Sequence, residues 1–310
     1  MPSELITEQL ERNYRLIRKI GSGAFGQVHL YEQRSLGGLV AVKRVRNPKL
    51  SNGKPLEHRM LRSLINCPER KGIVWLHESL QDRISGEWAL VLGYCNGGDL
   101  NGLGELYNDK EKCRVPEAFL WHVLVQVSQA LAFIHHECTI ASHKFSANRK
   151  KTRIVHRDVK PDNILLNWAL GQSRLSHTKY PEIKLTDFGI AVDMEPSFSD
   201  LIARYGAKDF TAPEFHTEKP FLDSGDIWGL GTVIHFLAFG VPAMNRPPHV
   251  FEDLNHKYSK SLSSFVHTNL LRVTPSNRMR SNELVGKLQY WGREQRDKKW
   301  RSLYDFSRMS

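Results

Sequence analysis

The sequence predicts an α+β chain of two lobes, a small, mainly antiparallel β lobe followed by a larger, mainly helical one. Three observations carry that expectation. Short apolar runs with two-residue alternation crowd the stretch before Leu92, a glycine-rich break follows from Gly93 to Gly98, and segments with helical spacing dominate after Pro116. The 310 residues suffice to bury a sizeable core, as one large domain or as two lobes.

Composition narrows the class. The chain is 40% hydrophobic, 25% charged and 10% aromatic, as in ordinary soluble proteins. Cys67, Cys95, Cys113 and Cys138 lie far apart without a C-x-x-C, which reads as reduced thiols in an intracellular protein, cytoplasmic or nuclear. Glu4, Glu8 and Glu11 interrupt any signal-peptide pattern. The apolar stretch Ile227 to Met244 holds His235, three glycines and a proline, so it reads as a core helix and its exit rather than a membrane span. Net charge is +11, but no zinc finger, RNP-type motif or basic heptad accompanies it. Nucleic acid is therefore not expected as the main partner, and a polyphosphate ligand would equally favour a positive cleft.

Residues 1–13 form a lead-in with a short helical pattern around Leu5 and Leu10. Tyr14 to Ile20 then alternates like a strand and runs into Gly21-Ser22-Gly23-Ala24-Phe25-Gly26. The same glycine spacing opens dinucleotide folds, but those need a helix next, whereas Gln27 to Tyr31 continues as a strand. Strand, glycine turn and strand make a flap that brings backbone N–H groups down on phosphates with no Cβ in the way. A further strand, Leu39 to Val45, puts Ala41 and Lys43 on one face. Pro55 to Leu64 is helical, with Leu56, Met60 and Leu64 on its anchoring face and Glu57 beside them as the candidate partner of Lys43; the alternative is a surface acid with no partner. Ile73 to Leu76 and Trp88 to Leu92 complete five strands around a turn at Ser85-Gly86.

Beyond the glycine break, Phe119, Val123, Val127, Leu131 and Ile134 recur at helical spacing from Pro116 to His136. Next comes His156-Arg157-Asp158-Val159-Lys160-Pro161-Asp162-Asn163, followed by the strand-like Ile164-Leu165-Leu166 and a return strand, Glu182 to Thr186, that delivers Asp187-Phe188-Gly189. Ala212-Pro213-Glu214 follows, and then a helix opening at Asp223 with Asp226 and Trp228 in its first turns. Pro275 to Arg278 supplies a late arginine.

In this order, the motifs resemble those of a eukaryotic protein kinase of the serine/threonine type, from residue 14 to about 292, with Val159 where leucine is usual. The hinge run Tyr94 to Leu100 is similar to the NIMA-related group. The resemblance implies a bilobal kinase-like fold with an N-lobe at 14–92, a hinge at 93–98, a C-lobe at 99–292 and a basic tail at 293–310. It implies ATP and Mg²⁺, and a protein partner with a serine or threonine acceptor; it leaves oligomeric state open and implies no membrane. Gly21, Ser22, Gly23, Ala24, Phe25 and Gly26 would cover the phosphates, and Val28, Ala41, Leu92 and Leu165 would enclose the base. The main chain of Gly93 and Cys95 would hydrogen-bond adenine, and Asp99 would meet ribose or a basic substrate residue. Lys43, paired with Glu57, would hold the α- and β-phosphates, Asn163 and Asp187 the metal. Asp158 would align or accept the hydroxyl proton, with Lys160 at the γ-phosphate. Asp226 would tie to backbone N–H groups of the catalytic loop, and Arg278 would pair with Glu214.

The departures lie elsewhere. A polar, basic run, Ser142 to Lys151, reads as an inserted loop of about ten residues, within what a surface loop tolerates. Trp168 to Pro181 is a second. Ala207 replaces a hydroxyl residue, and the usual phosphorylation position falls near Ala203, so either Ser197, Ser199 or Tyr205 substitutes or the loop is held without modification. Ala207 and the basic loops favour a rival reading, a pseudokinase scaffold; Lys43, Glu57, Asp158, Asn163 and Asp187 oppose it. Ala212-Pro213-Glu214 and Lys160 oppose a small-molecule kinase.

Overall fold

The computed structural model describes residues 6–23, 26–45, 50–51, 54–64, 72–82, 84–107, 114–136, 153–168, 180–193, 209–216, 222–243 and 253–296. The flap tip Ala24-Phe25, the run Ser142 to Lys151, residues Ser197, Ser199, Ala203, Tyr205 and Ala207, and the tail past Arg296 lie outside them. So does the second loop, except for its ends at Trp168, Tyr180 and Pro181. The chain divides into two compact units, residues 1–68 with 74–95, and residues 69–73 with 96–310.

The first unit is a five-stranded antiparallel sheet in the order β1-β2-β3-β7-β6, with β1 at Tyr14–Gly23, β2 at Gly26–Gln33, β3 at Leu39–Val45, β6 at Leu76–Gln81 and β7 at Trp88–Gly93. Two minor strands, β4 (Leu50–Ser51) and β5 (Lys54–Pro55), lead into helix α2. Gly26 sits at φ 137°, where a Cβ would lie 1.9 Å from the Arg44 carbonyl oxygen, so the end of the flap admits no side chain. The expected strand Ile73 to Leu76 is displaced. Ile73 falls in the second unit, where it bridges Leu185; Trp75 is exposed, and the strand begins at Leu76. A short apolar run is ambiguous in register, and here the ladder to β7 starts only after Trp75 has accepted the Gly93 N–H through its carbonyl at 2.8 Å. The expected strand end at Leu92 is likewise extended, since Gly93 still pairs with Val40.

Residues 6–13 are no mere lead-in. They form helix α1 (Ile6–Asn13), whose Ile6 and Leu10 are buried in one apolar cluster with Tyr14, Tyr31, Val40, Val42, Ala89 and Val91 of the sheet. Arg34 secures its far end by donating its backbone N–H to the Asn13 carbonyl and its Nε to that of Glu11, at 2.8 and 2.9 Å. Helix α2 (Leu56–Leu64) buries Glu57, Met60, Leu61 and Leu64, while Leu56 is only half-buried. Its inner face is thus rotated by one residue from the expected Leu56-Met60-Leu64 stripe.

The second unit is mainly helical: α3 (Leu100–Glu105), α4 (Glu117–His136), α5 (Asp223–Phe239), α6 (Lys260–Asn269) and α7 (Ser281–Arg296). Helix α4 buries the predicted Phe119, Val123, Val127, Leu131 and Ile134 and packs on α5 and α7. It is long and apolar enough to cross a membrane, but most of it is buried inside the unit, as in a core helix. Helix α5 is buried from Gly225 to Ala238 on all sides. Two short hairpins complete the unit, β9 (Ile164–Asn167) with β10 (Glu182–Leu185) and β8 (Ile154–Val155) with β11 (Val192–Asp193).

The β9–β10 connection is held at its second end by aromatic packing on α4. Tyr180 lies 4.9 Å from the His122 ring and 5.8 Å from Phe119, and His122 Nε2 donates to the Pro181 carbonyl at 2.8 Å. Burial lowers the His122 pKa from 6.5 to about 4, against that hydrogen bond, which raises it. The folded protein holds this imidazole neutral, so between these values the unfolded chain binds the extra proton and stability falls as pH drops from 6.5 toward 4. His122→Gln keeps a donor for Pro181 but cannot titrate. Melting temperature against pH is expected to fall less steeply below pH 6.5 in this variant than in wild type; parallel curves would mean that the imidazole does not carry the effect.

Candidate active site

In the first unit, the two-residue period of β3 sets Lys43 and Ala41 on one face, and the rotation of α2 turns Glu57 inward. Lys43 Nζ stands 2.7 Å from Glu57 Oε2, with the two side chains 8% and 4% exposed. A buried charge persists only when paired, which is why α2 presents a carboxylate where apolar spacing alone would have put leucine. Glu57→Gln keeps the shape but removes the charge, and is expected to cost about 2 kcal/mol, read from urea unfolding. The flap residues Gly21, Ser22 and Gly23 pair with Val28, Gln27 and Gly26 across the β1–β2 hairpin. Leu92 is buried at the end of β7. Gly93 has committed its N–H to Trp75, so its carbonyl is what it can offer a base.

In the second unit, the loop before β9 gathers its polar groups tightly. Asn163 Nδ2 donates to both the carbonyl and Oδ2 of Asp158, each at 2.8 Å, and Lys160 Nζ lies 3.0 Å from the same Oδ2. A 3₁₀ turn, Pro161–Asn163, sets this spacing, with proline fixing its first residue. His156 Nδ1 accepts the Asp158 N–H at 3.3 Å, so Nε2 carries the proton and donates to the Thr186 carbonyl at 2.9 Å. That ring meets Phe188 edge-on at 4.7 Å, and Phe188 is fully buried. Arg157 and Asp187 both occupy the left-handed region, at φ 71° and 62°, strained for non-glycine residues. Asp187 Oδ1 accepts the Gly189 N–H at 3.3 Å.

Asp226 of α5 receives the main-chain N–H groups of His156 and Arg157 at 2.7 and 2.8 Å, as the motif order implies. His135 was not foreseen. Its Nε2 donates to Asp226 at 2.9 Å while its Nδ1 accepts from Ser281 at 3.0 Å, so α4, α5 and α7 meet at the base of the loop. Nothing in the sequence marks that histidine apart from its neighbour His136. Arg278 forms two parallel bonds of 2.6 Å to Glu214.

Asp99 caps α3, accepting the Gly102 N–H at 2.8 Å through Oδ1. Burial raises its carboxyl above the usual range, the Gly102 bond opposes this, and the negative charge of Asp162 adds to the rise. The two acids are therefore electrostatic neighbours.

For a divalent cation the donor set is oxygen. With Nδ2 of Asn163 committed to Asp158, its Oδ1 is the atom left for a ligand, and Asp187 adds a carboxylate on a fixed backbone. Such hard donors suit Mg²⁺.

Comparison with known proteins agrees with this geometry. The family model described as protein kinase domain matches residues 14–288. The chain is 27% identical over 292 residues to the serine/threonine-protein kinase ATG1a of Arabidopsis thaliana, covering 89% of this chain and 41% of that one. It is 26% identical over 247 residues to the cAMP-dependent protein kinase catalytic subunit of Schizosaccharomyces pombe, covering 78% and 41%. It is also 24% identical over 295 residues to the G2-specific protein kinase nimA of Emericella nidulans, covering 88% and 40%. The chain thus spans about two fifths of the length of each of these relatives.

Proposed function

The chain belongs to the protein kinase domain family, and on that premise we propose that it transfers the γ-phosphoryl group of ATP to a serine or threonine hydroxyl of a protein, inside the cell where ATP is supplied. The observation that carries the reading is the arrangement of Asp158 with Lys160 and Asn163 on one rigid loop. The acceptor's O–H bond would break toward Asp158 as its oxygen bonds to the γ-phosphorus, and the bond from phosphorus to the ADP oxygen would break in line. Lys160, 3.0 Å from the Asp158 carboxylate, would balance the charge of the transferring group. Lys43, fixed by Glu57, would hold the α- and β-phosphates, and the flap from Gly21 to Gly26 would supply N–H groups above them. Mg²⁺ on Asn163 and Asp187 would neutralise charge developing between the phosphates. The base would lie against Val28, Ala41, Leu92 and Leu165 and bond to the Gly93 and Cys95 main chain. Asp99 and Asp162, whose negative charges act on each other, would favour basic residues beside the acceptor.

The test is radiolabel transfer from ATP with Mg²⁺ to generic protein substrates, followed by acid hydrolysis to identify the labelled amino acid. Label on phosphoserine or phosphothreonine is the expected result. Firm nucleotide binding with no transfer would instead make the chain a scaffold.

A further inference from the structure

We propose that Asn96 is a positioning residue for the nucleotide, acting through a side-chain clamp on the residue that follows β9. The inference rests on the ATP-binding reading above, and on the hydrogen bonds that the Asn96 carboxamide makes.

The segment just after Cys95 pairs with β9 as a short extra strand. Gly97 donates its N–H to the Leu166 carbonyl at 2.8 Å, Leu166 donates to the Gly98 carbonyl at 2.8 Å, and Asp99 forms an antiparallel bridge with Leu165. The approach is close. A Cβ on Gly97 would fall 2.7 Å from both the Cβ and the carbonyl oxygen of Leu166, so only glycine fits. One residue earlier, the side chain of Asn96 takes over the pairing. Its Nδ2 donates to the Trp168 carbonyl at 3.2 Å, and its Oδ1 accepts the Trp168 N–H at 2.8 Å. The carboxamide thus behaves as one more peptide group, offering a donor and an acceptor to the main chain of a single residue. Trp168 is buried at 7% exposure, which fixes the far side of the clamp.

Residue chemistry makes this choice specific. Aspartate at 96 would retain an acceptor for the Trp168 N–H but set a second oxygen against the Trp168 carbonyl, and alanine would offer neither bond. Asn96 is bonded directly to Cys95, whose main chain the proposed function assigns to adenine and whose donor there would be its N–H. Fixing the main chain at 96 therefore sets the direction of that N–H, while the same clamp holds the strand that carries Leu165. The phosphate and proton-transfer groups do not depend on Asn96. Its loss should accordingly weaken nucleotide binding and leave the chemical step in place.

The full chain carrying Asn96→Ala or Asn96→Asp is titrated with a fluorescent N-methylanthraniloyl ATP and assayed for KM(ATP), kcat and thermal unfolding. Loss of about one hydrogen bond's positioning is expected to raise the nucleotide Kd and KM(ATP) about fivefold in both variants, with kcat within about twofold of wild type. An unchanged Kd in both variants would overturn the clamp's role. So would a fall in kcat and melting temperature with KM(ATP) unchanged, the pattern of a merely structural contact. A wild-type protein that binds no nucleotide would remove the proposed function itself, a result distinct from wild-type binding that the variants share.

Discussion

Asp158→Asn is expected to lower the rate of phosphoryl transfer about a thousandfold while leaving nucleotide affinity near that of wild type. The carboxylate is 5% exposed and held from two sides, by Lys160 at 3.0 Å and by Asn163 at 2.8 Å. Asparagine has nearly the same volume, so the loop should keep its shape. It cannot accept the hydroxyl proton, and its amide nitrogen can turn a donor toward Lys160 or Asn163, both donors themselves. The nucleotide contacts assigned to Lys43, the flap and the main chain after β7 do not involve this side chain. Single-turnover transfer rates measured alongside ATP-analogue binding would separate the two effects. Rates that fall less than tenfold would mean that Asp158 neither takes the proton nor aligns the acceptor.

The parts of this site that were legible in the sequence are those in which chemistry fixes residue type and local spacing together. His156 to Asn163 and Asp187 to Gly189 are contiguous, so their geometry follows from a turn and a strand, and Asp226 needed only a position early in a helix. Glu57 was legible as a candidate, but its burial was not. Apolar spacing favoured a face through Leu56, and the helix instead turns by one residue because Lys43 supplies the carboxylate with a partner. Helix α1 was underestimated for a related reason. Eight residues with two buried apolar side chains form no independent unit, and their value depends on the cluster of sheet residues they cover. Asn96 and His135 act on residues 72 and 91 positions away, a coupling that no local pattern records. Trp75 shows the same limit for strands: an apolar run fixes neither register nor which residue the sheet leaves outside.

The strain of the loop before β9 leads to the second large effect. Arg157 sits at φ 71°, a conformation that costs a non-glycine residue about 1–3 kcal/mol and persists only where neighbours impose it. The imposing group is Asp226, 1% exposed in α5, which accepts the N–H of Arg157 through Oδ1 and those of His156 and His135 through Oδ2. Asp226→Ala would leave three donors in a buried site, two of them main-chain groups that cannot turn to water. At about 1–3 kcal/mol for each orphaned group, partly relieved when the loop relaxes, the expected loss is about 4 kcal/mol of stability. That corresponds to a fall in melting temperature on the order of 10 °C for a protein of this size. Asp226→Asn should be milder, since one oxygen remains to accept, although its amide nitrogen must then face a donor. Activity is expected to fall in the alanine variant even at temperatures where it is folded, because the released strain shifts Asp158, the next residue along the loop. Thermal unfolding measured together with kcat at low temperature checks both halves. An alanine variant that melts within about two degrees of wild type would show that the loop holds its strained form without α5.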